Sequence, residues 1–170
     1  MTAVDAALLL LRMWAGFVII AHGVNHGRTL DGTARWFAAK GFKSENLNAR
    51  VSALSEIAIG VALIAGLLTS VAAAGLLATM FVAFWSIHRF VGFFNFHRPD
   101  EGYEYVVTLA MIAVALAVAG PGRFSVDEAL GNAANLDEWV GLAIVGGGLL
   151  VAAGQLATFW RKPTGNGGTT

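Results

Sequence analysis

Residues 51–94, VSALSEIAIGVALIAGLLTSVAAAGLLATMFVAFWSIHRFVGFF, contain only three ionisable side chains, Glu56, His88 and Arg89. A helix needs about 20 mainly apolar residues to cross the hydrocarbon core of a bilayer, so this stretch is long enough to cross twice. Thr69-Ser70 leaves room for a hairpin turn and little else. The pair therefore reads as two transmembrane helices, 51–68 and 71–94, because a helix satisfies its backbone polar groups internally where water is absent.

Three more apolar stretches flank this hairpin. The first, 6–24, carries Arg12. The next, 103–119, is rather short and is stopped by Gly120-Pro121-Gly122. The last, 138–160, has Trp139 and Trp160 near its ends, where indoles favour the membrane interface. The expected fold is all-α, a polytopic membrane helix bundle. It has a four-helix core over 1–130, an additional C-terminal transmembrane helix over 131–162, and a disordered Gly/Thr-rich tail over 163–170.

Composition agrees. Of 170 residues, 56% are apolar and 13% charged, against about 25% charged in soluble domains, and the mean hydropathy is +0.66. Eleven basic and eleven acidic residues give a net charge of zero with no basic tract, which excludes a nucleic-acid binder needing a concentrated positive field. The absence of cysteine excludes disulfides, thiolate catalysis and thiolate metal sites within this chain. The first ten residues hold Asp5 and no Lys or Arg, so no cleavable signal peptide is expected.

Five crossings place Arg28, Arg35, Lys40, Lys43, Arg50, Arg89, Arg98, Arg161 and Lys162 on one side. Arg123 stands alone on the other. The positive-inside rule then puts the amino terminus outside and the carboxyl terminus in the cytoplasm, the expectation for a multi-pass protein of the inner (plasma) membrane. Between the first two spans, 33–40 followed by Gly41 reads as a short helix in the headgroup plane, with Trp36 and Phe37 beside Arg35 and Lys40. Ser125 to Glu128 fits a capping box.

Small residues recur at helical spacing: Ala58, Ala62 and Gly66 in the second span, and Gly75, Thr79 and Ala83 in the third. Such faces let helices approach closely in lipid. The fifth span has Gly141, Gly146, Gly147, Gly148 and Gly154, a surface suited to a protein partner or a second copy.

Ionisable residues in hydrocarbon are costly and normally face protein or water. Here His22, Asn25 and His26, then Ser52, Ser55 and Glu56, then His88 and His97, and finally Tyr103, Glu104 and Tyr105 all fall towards the cytoplasmic side. Arg12 is deeper, on a stripe with Gly16, Ile19, Gly23 and His26, and Glu56 is its expected counter-ion. Three chemistries suit this cluster. His22 and His26, at i,i+4, could ligate a metal with His88 or a glutamate. His22 and His88 could be axial ligands of a haem. A quinone headgroup could sit on His22, His88 and Tyr103 in an aromatic cleft with Trp85, with Glu56 and Glu104 carrying protons and Arg12 as electrostatic partner.

The chain resembles the DoxX family of small membrane proteins over roughly 5–130. The resemblance rests on Arg12-x3-Gly16 leading to His22-Gly23, on Glu56 with Gly66 to Thr69, and on Phe93-Phe94. It continues through Gly102-Tyr103-Glu104-Tyr105 to Gly120-Pro121-Gly122-Arg123-Phe124-Ser125-Val126-Asp127. The family commonly has lysine three residues after its His-Gly, where this chain has His26, and often ends shortly after the Ser-x-Asp motif, before any fifth span. The resemblance implies similarity to the small subunit of a thiosulfate:quinone oxidoreductase and a link to membrane oxidoreductase complexes. The expected function is a membrane subunit of a quinone-linked oxidoreductase. The alternative is a non-catalytic scaffold or anchor, and the third reading is metal or haem binding through the histidines.

Single cysteines at Thr2 and Thr170 test the topology in this thiol-free chain. An impermeant maleimide should label Thr2→Cys from outside and Thr170→Cys only after the membrane is opened. Labelling of both from one side would refute the five-crossing topology.

Overall fold

A computed structural model describes residues 2–96, 101–135 and 137–163. His97 and Arg98, counted above on the cytoplasmic side, and most of the expected tail lie outside the described residues. Seven helices are described: α1 (Ala3–Arg28), α2 (Leu30–Ala39), α3 (Glu45–Ala65), α4 (Thr69–Ser86), α5 (Glu104–Ala119), the single turn α6 (Val126–Ala129) and α7 (Glu138–Phe159). Among the described residues there is no β-strand. Four helical segments are long and apolar enough to cross a membrane, and α5 is a shorter apolar helix. The all-α polytopic bundle is the fold.

The hydrogen bonds at the helix ends order the bundle. At one end Arg123 N–H donates to Asp5, and Leu68 and Thr69 N–H donate to Asp127. The start of α1, the α3–α4 turn and the segment after α5 therefore meet there. At the other end Tyr103 N–H donates to the Gly92 carbonyl, and Phe42 bridges Trp160. Thus α5 runs the length of the bundle beside α4 despite its 16 residues. The described ends of the chain, Thr2 and Pro163, lie at opposite ends of the molecule.

Glycine decides how α1 meets α3. A Cβ on Gly16 would lie 2.7 Å from the Gly60 carbonyl oxygen, and one on Gly23 would lie 2.8 Å from that of Ala53. The stripe Arg12, Gly16, Ile19, Gly23 is therefore covered by α3. On α3 the buried face is Ala53, Glu56, Gly60 and Leu63. Of the face expected from Ala58, Ala62 and Gly66, Ala58 is exposed, whereas Ala62 packs against the core and Gly66 lies against Arg12. Small size alone did not identify the buried side; Glu56, which must avoid lipid, did. The face read on α4 does pack inward, with Gly75 set against Ile59. Leu63, Ala73, Leu76, Ala113 and Leu116 fill the centre, while Leu10, Trp14, Phe17, Leu54, Met111, Leu150 and Val151 face outward.

Arg12 is fully buried, and its partners are not those expected. Its Nη1 donates to the Leu63 carbonyl at 3.2 Å and its Nη2 to the Phe124 carbonyl. Glu56, two turns away on α3, has other partners. The cation instead serves the C-terminal turn of α3, where carbonyls lack intrahelical donors and the helix dipole favours positive charge. Asp127, also buried, caps α4 from a distance, its oxygens 2.7 Å and 2.8 Å from the Leu68 and Thr69 nitrogens. Ser125 accepts from Glu128 N–H as the N-cap of α6. The segment from Gly120 to Asp127 thus fastens α1, α3 and α4 together.

Several boundaries moved: α1 runs on to Arg28, four residues past its expected end, and α3 begins at Glu45, six residues before its expected start. Helix α4 ends at Ser86, eight residues before the expected end of its span; a 3-10 turn follows and Gly92 takes φ +110°. The short interfacial helix begins three residues early, at Leu30, and its Phe37 is buried against Phe42.

Gly16→Ala should destabilise the protein by about 1–3 kcal/mol, because the added methyl overlaps a backbone oxygen. Gly147→Ala, whose Cβ meets nothing within 4 Å, should stay within about 0.5 kcal/mol of the parent. Reversible unfolding of both variants in the same detergent makes the comparison.

Candidate functional site

Ser52 and Glu56 lie one turn apart on α3, so their side chains stack on one face. Opposite them, the last turn of α1 presents His26. Its Nδ1 lies 3.2 Å from Glu56 Oε1 and 3.3 Å from Ser52 Oγ, and Ser52 Oγ donates a short hydrogen bond to the same carboxylate oxygen. With the Ser52 proton given to Glu56, the His26 contact requires the imidazole proton on Nδ1. Nε2 is then the ring's second proton-exchanging atom. Glu56 is 2% exposed, and its Oε2 has no hydrogen-bond partner among the described residues. Leaving a buried polar atom unsatisfied costs about 1–3 kcal/mol, and more when it is charged.

A cavity of about 110 Å³ adjoins this group. Its walls are Trp36 and Phe37 from α2, Phe42 from the loop after it, Val51 and Ser55 from α3, Thr79, Val82 and Ala83 from α4, Ser86, Ile87, and Gln155 from α7. The His26 and Trp36 rings stack with centroids 6.3 Å apart. The volume is on the order of the roughly 150 Å³ that holds a benzene molecule. It suits one six-membered ring whose substituents extend outside.

The expected site residues divide. Glu56 and His26 are together in this cavity. His22 faces α5, with Nε2 3.4 Å from the Tyr105 hydroxyl and the rings stacked. His88 Nδ1 lies 2.6 Å from the Glu101 carbonyl oxygen, so it is a donor there. Glu104 accepts from Asn95 N–H at 3.3 Å. Tyr103 packs edge-on against Phe84 and Phe93, and Trp85 stacks on Phe81 beneath Arg89. The break after Ser86 takes His88 off the α4 face on which it was expected beside Phe81 and Trp85. For the same reason the metal set His22, His26 and His88 is not assembled. Among the described residues, no group of three or more His, Asp or Glu side chains is placed to hold a metal ion. The haem pair His22 and His88 likewise points at different partners.

Sequence reasoning missed Phe42, Thr79 and Gln155 as cavity walls. Gln155 is the one amide in the fifth apolar stretch and could have been singled out on that ground. It donates to Asn48 Oδ1 at 3.3 Å, tying α7 to α3 beside the cavity.

The arrangement is that of a polytopic membrane helix bundle with a buried carboxylate beside an apolar-walled cavity. Residues 7–89, from α1 to the turn after α4, match the family model of DoxX, and over that segment the chain is similar to the DoxX family. No curated protein and no solved structure matches the chain. The protein is an integral membrane protein.

A double-mutant cycle separates the two pairings of Glu56. His26→Gln with Glu56→Gln should show a coupling of about 0.5–3 kcal/mol, whereas Arg12→Gln with Glu56→Gln should add within about 0.5 kcal/mol. Coupling confined to the Arg12 cycle would contradict this geometry.

Proposed function

We propose that the protein is a membrane subunit of a redox complex whose His26–Ser52–Glu56 pocket binds the headgroup of a quinone-class lipid and exchanges protons with it. The observation that carries this reading is the buried Glu56 carboxylate, with one oxygen unpartnered, beside an aromatic-walled cavity the size of a single ring. A quinone carbonyl needs a hydrogen-bond donor. His26 can supply one through Nε2 when its ring carries both protons, whereas the hydroxyls of Ser52, Ser55 and Thr79 already donate to Glu56, the Ser52 carbonyl and the Gly75 carbonyl. Reduction of a quinone to its quinol takes two electrons and two protons. Glu56 and His26 are the groups in this pocket that can hold and release protons, and the electrons are assigned to a donor protein in the complex. Of the residues expected from sequence, His26 takes the role given to His22 and His88. Arg12 belongs to the far end of α3, and Glu104 and Tyr103 to the α4–α5 connection. The cation-rich end, with the pocket, is assigned to the cytoplasmic face of the inner membrane.

A second reading, a non-catalytic anchor, draws on α7. Gly146, Gly147 and Gly154 have nothing within 4 Å of where a Cβ would stand, which leaves a small-residue face open to a partner helix. The two readings are compatible, since a complex needs both a pocket and a contact.

Trp36 makes the pocket observable. A short-chain ubiquinone analogue should quench part of the protein fluorescence in detergent, and Trp36→Phe should abolish that component. Glu56→Gln and His26→Gln should weaken saturation by about tenfold each, the loss of one charge-assisted hydrogen bond. Quenching that is unchanged in Trp36→Phe, or equal in both site variants and the parent, would remove the quinone reading and leave the anchor.

A further inference from the structure

A second hollow, of about 310 Å³, lies beyond the quinone-sized pocket at the same end of the bundle and shares Ser86 and Ile87 with it. Three separate stretches of chain enclose it: Ala39 and Lys40 at the end of α2, Ser86, Ile87, Phe90 and Val91 after α4, and Lys162 and Pro163 after α7. The first and third are joined by backbone bonds. Lys43 N–H donates to the Phe159 carbonyl at 2.7 Å and Arg161 N–H to the Gly41 carbonyl at 2.9 Å. The Trp160 indole also donates to the Lys40 carbonyl at 2.9 Å. Gly41, at φ +90°, is needed in this ladder because a Cβ there would collide with the Arg161 carbonyl.

The ladder holds cations close to one another. Arg89 lies with its Cζ 3.9 Å from the Trp85 ring centroid and 4.5 Å from that of Phe90, and Lys162 Nζ is 5.3 Å from the Phe90 ring. Stacking uses the face of the guanidinium and leaves its edge to donate. Arg89 Nε is buried without a hydrogen-bond partner. Among the described residues, no carboxylate lies within ion-pair distance of Arg89, Arg161 or Lys162. Like charges fixed together repel unless an anion joins them. The floor is apolar, with Ile87, Phe90 and Val91, and the indoles of Trp85 and Trp160 mark the headgroup level. A free phosphate would use the cations and ignore this floor. A phospholipid would use both.

We infer that this hollow is a binding site for the phosphate headgroup of an anionic phospholipid, held by Lys162 in its wall and by Arg89 stacked on its Phe90. The test uses the full chain, delipidated in detergent, with native mass spectrometry against phosphatidylglycerol and phosphatidylcholine. Phosphatidylglycerol should be retained about tenfold better, and Arg89→Gln with Lys162→Gln should erase that preference. Arg28→Gln with Arg35→Gln, which removes the same charge at the same end away from the hollow, should change it by less than about twofold. Arg89→Lys with Lys162→Arg, which keeps the charge, should retain the preference. Equal retention of phosphatidylcholine, or an equal loss in the Arg28/Arg35 variant, would overturn the site. Full displacement by millimolar inorganic phosphate would reassign it to a free anion.

Discussion

Arg12 is a cation buried from solvent, and the end of the bundle around it is arranged to meet its demands. Its guanidinium reaches the last-turn carbonyl of Leu63 on one side and the Phe124 carbonyl on the other. That fixes where α3 stops, since Gly66 must turn at φ +66° with the arginine packed directly against it. It also fixes where the chain returns after α5. Asp127, drawn into the same corner, caps α4 through two backbone nitrogens. A positive group at a helix C-terminus and a negative group at the next helix's N-terminus each oppose the local dipole. The two charges stabilise the α3–α4 turn from opposite sides without forming an ion pair.

The opposite end solves a different problem. There α1 and α3 are held at backbone contact by Gly16, Gly23 and Gly60, so the two helices have almost no freedom to slide. His26 and Ser52 are thereby brought to one oxygen of Glu56. The rigidity of the helix pair is what makes the pocket's polar side well defined. Its apolar side is assembled from α2, α4 and α7.

The fold was legible in the sequence because each span announces itself by length and apolarity, and because lipid allows few alternatives. That His26, Ser52 and Glu56 fall at one end of the bundle was legible too, since an antiparallel hairpin of spans brings the end of one beside the start of the next. Rotation about each helix axis was not. Ala58 and Glu56 are two positions apart, and only burial tells which faces inward. Arg12 has a side chain long enough to reach either Glu56 or the loop at 124, and its choice depends on a segment more than a hundred residues away. His88 was misread for a local reason: the aromatic run after Ser86 looks helical by composition, while Gly92 turns the chain out of the helix. Glu56 and His26, which do meet, sit on the two helices that Gly16, Gly23 and Gly60 hold at backbone contact.

The 16 residues of α5 have a consequence for the surrounding lipid. At a rise of 1.5 Å per residue the helix is about 24 Å long, whereas the hydrocarbon core is about 30 Å thick. Its neighbour α1 has 26 residues, and its apolar stretch 6–24, about 28 Å long, matches that thickness. The chain therefore imposes hydrophobic mismatch on one flank of its perimeter. Lipids beside α5 must shorten or tilt, and the bilayer is pinched on that flank at a cost of fractions of a kcal/mol per ångström. Such a pinch favours thinner membranes for the protein. It also gives a neighbouring protein with an equally short span a reason to gather on that side, because two short helices side by side share one deformation.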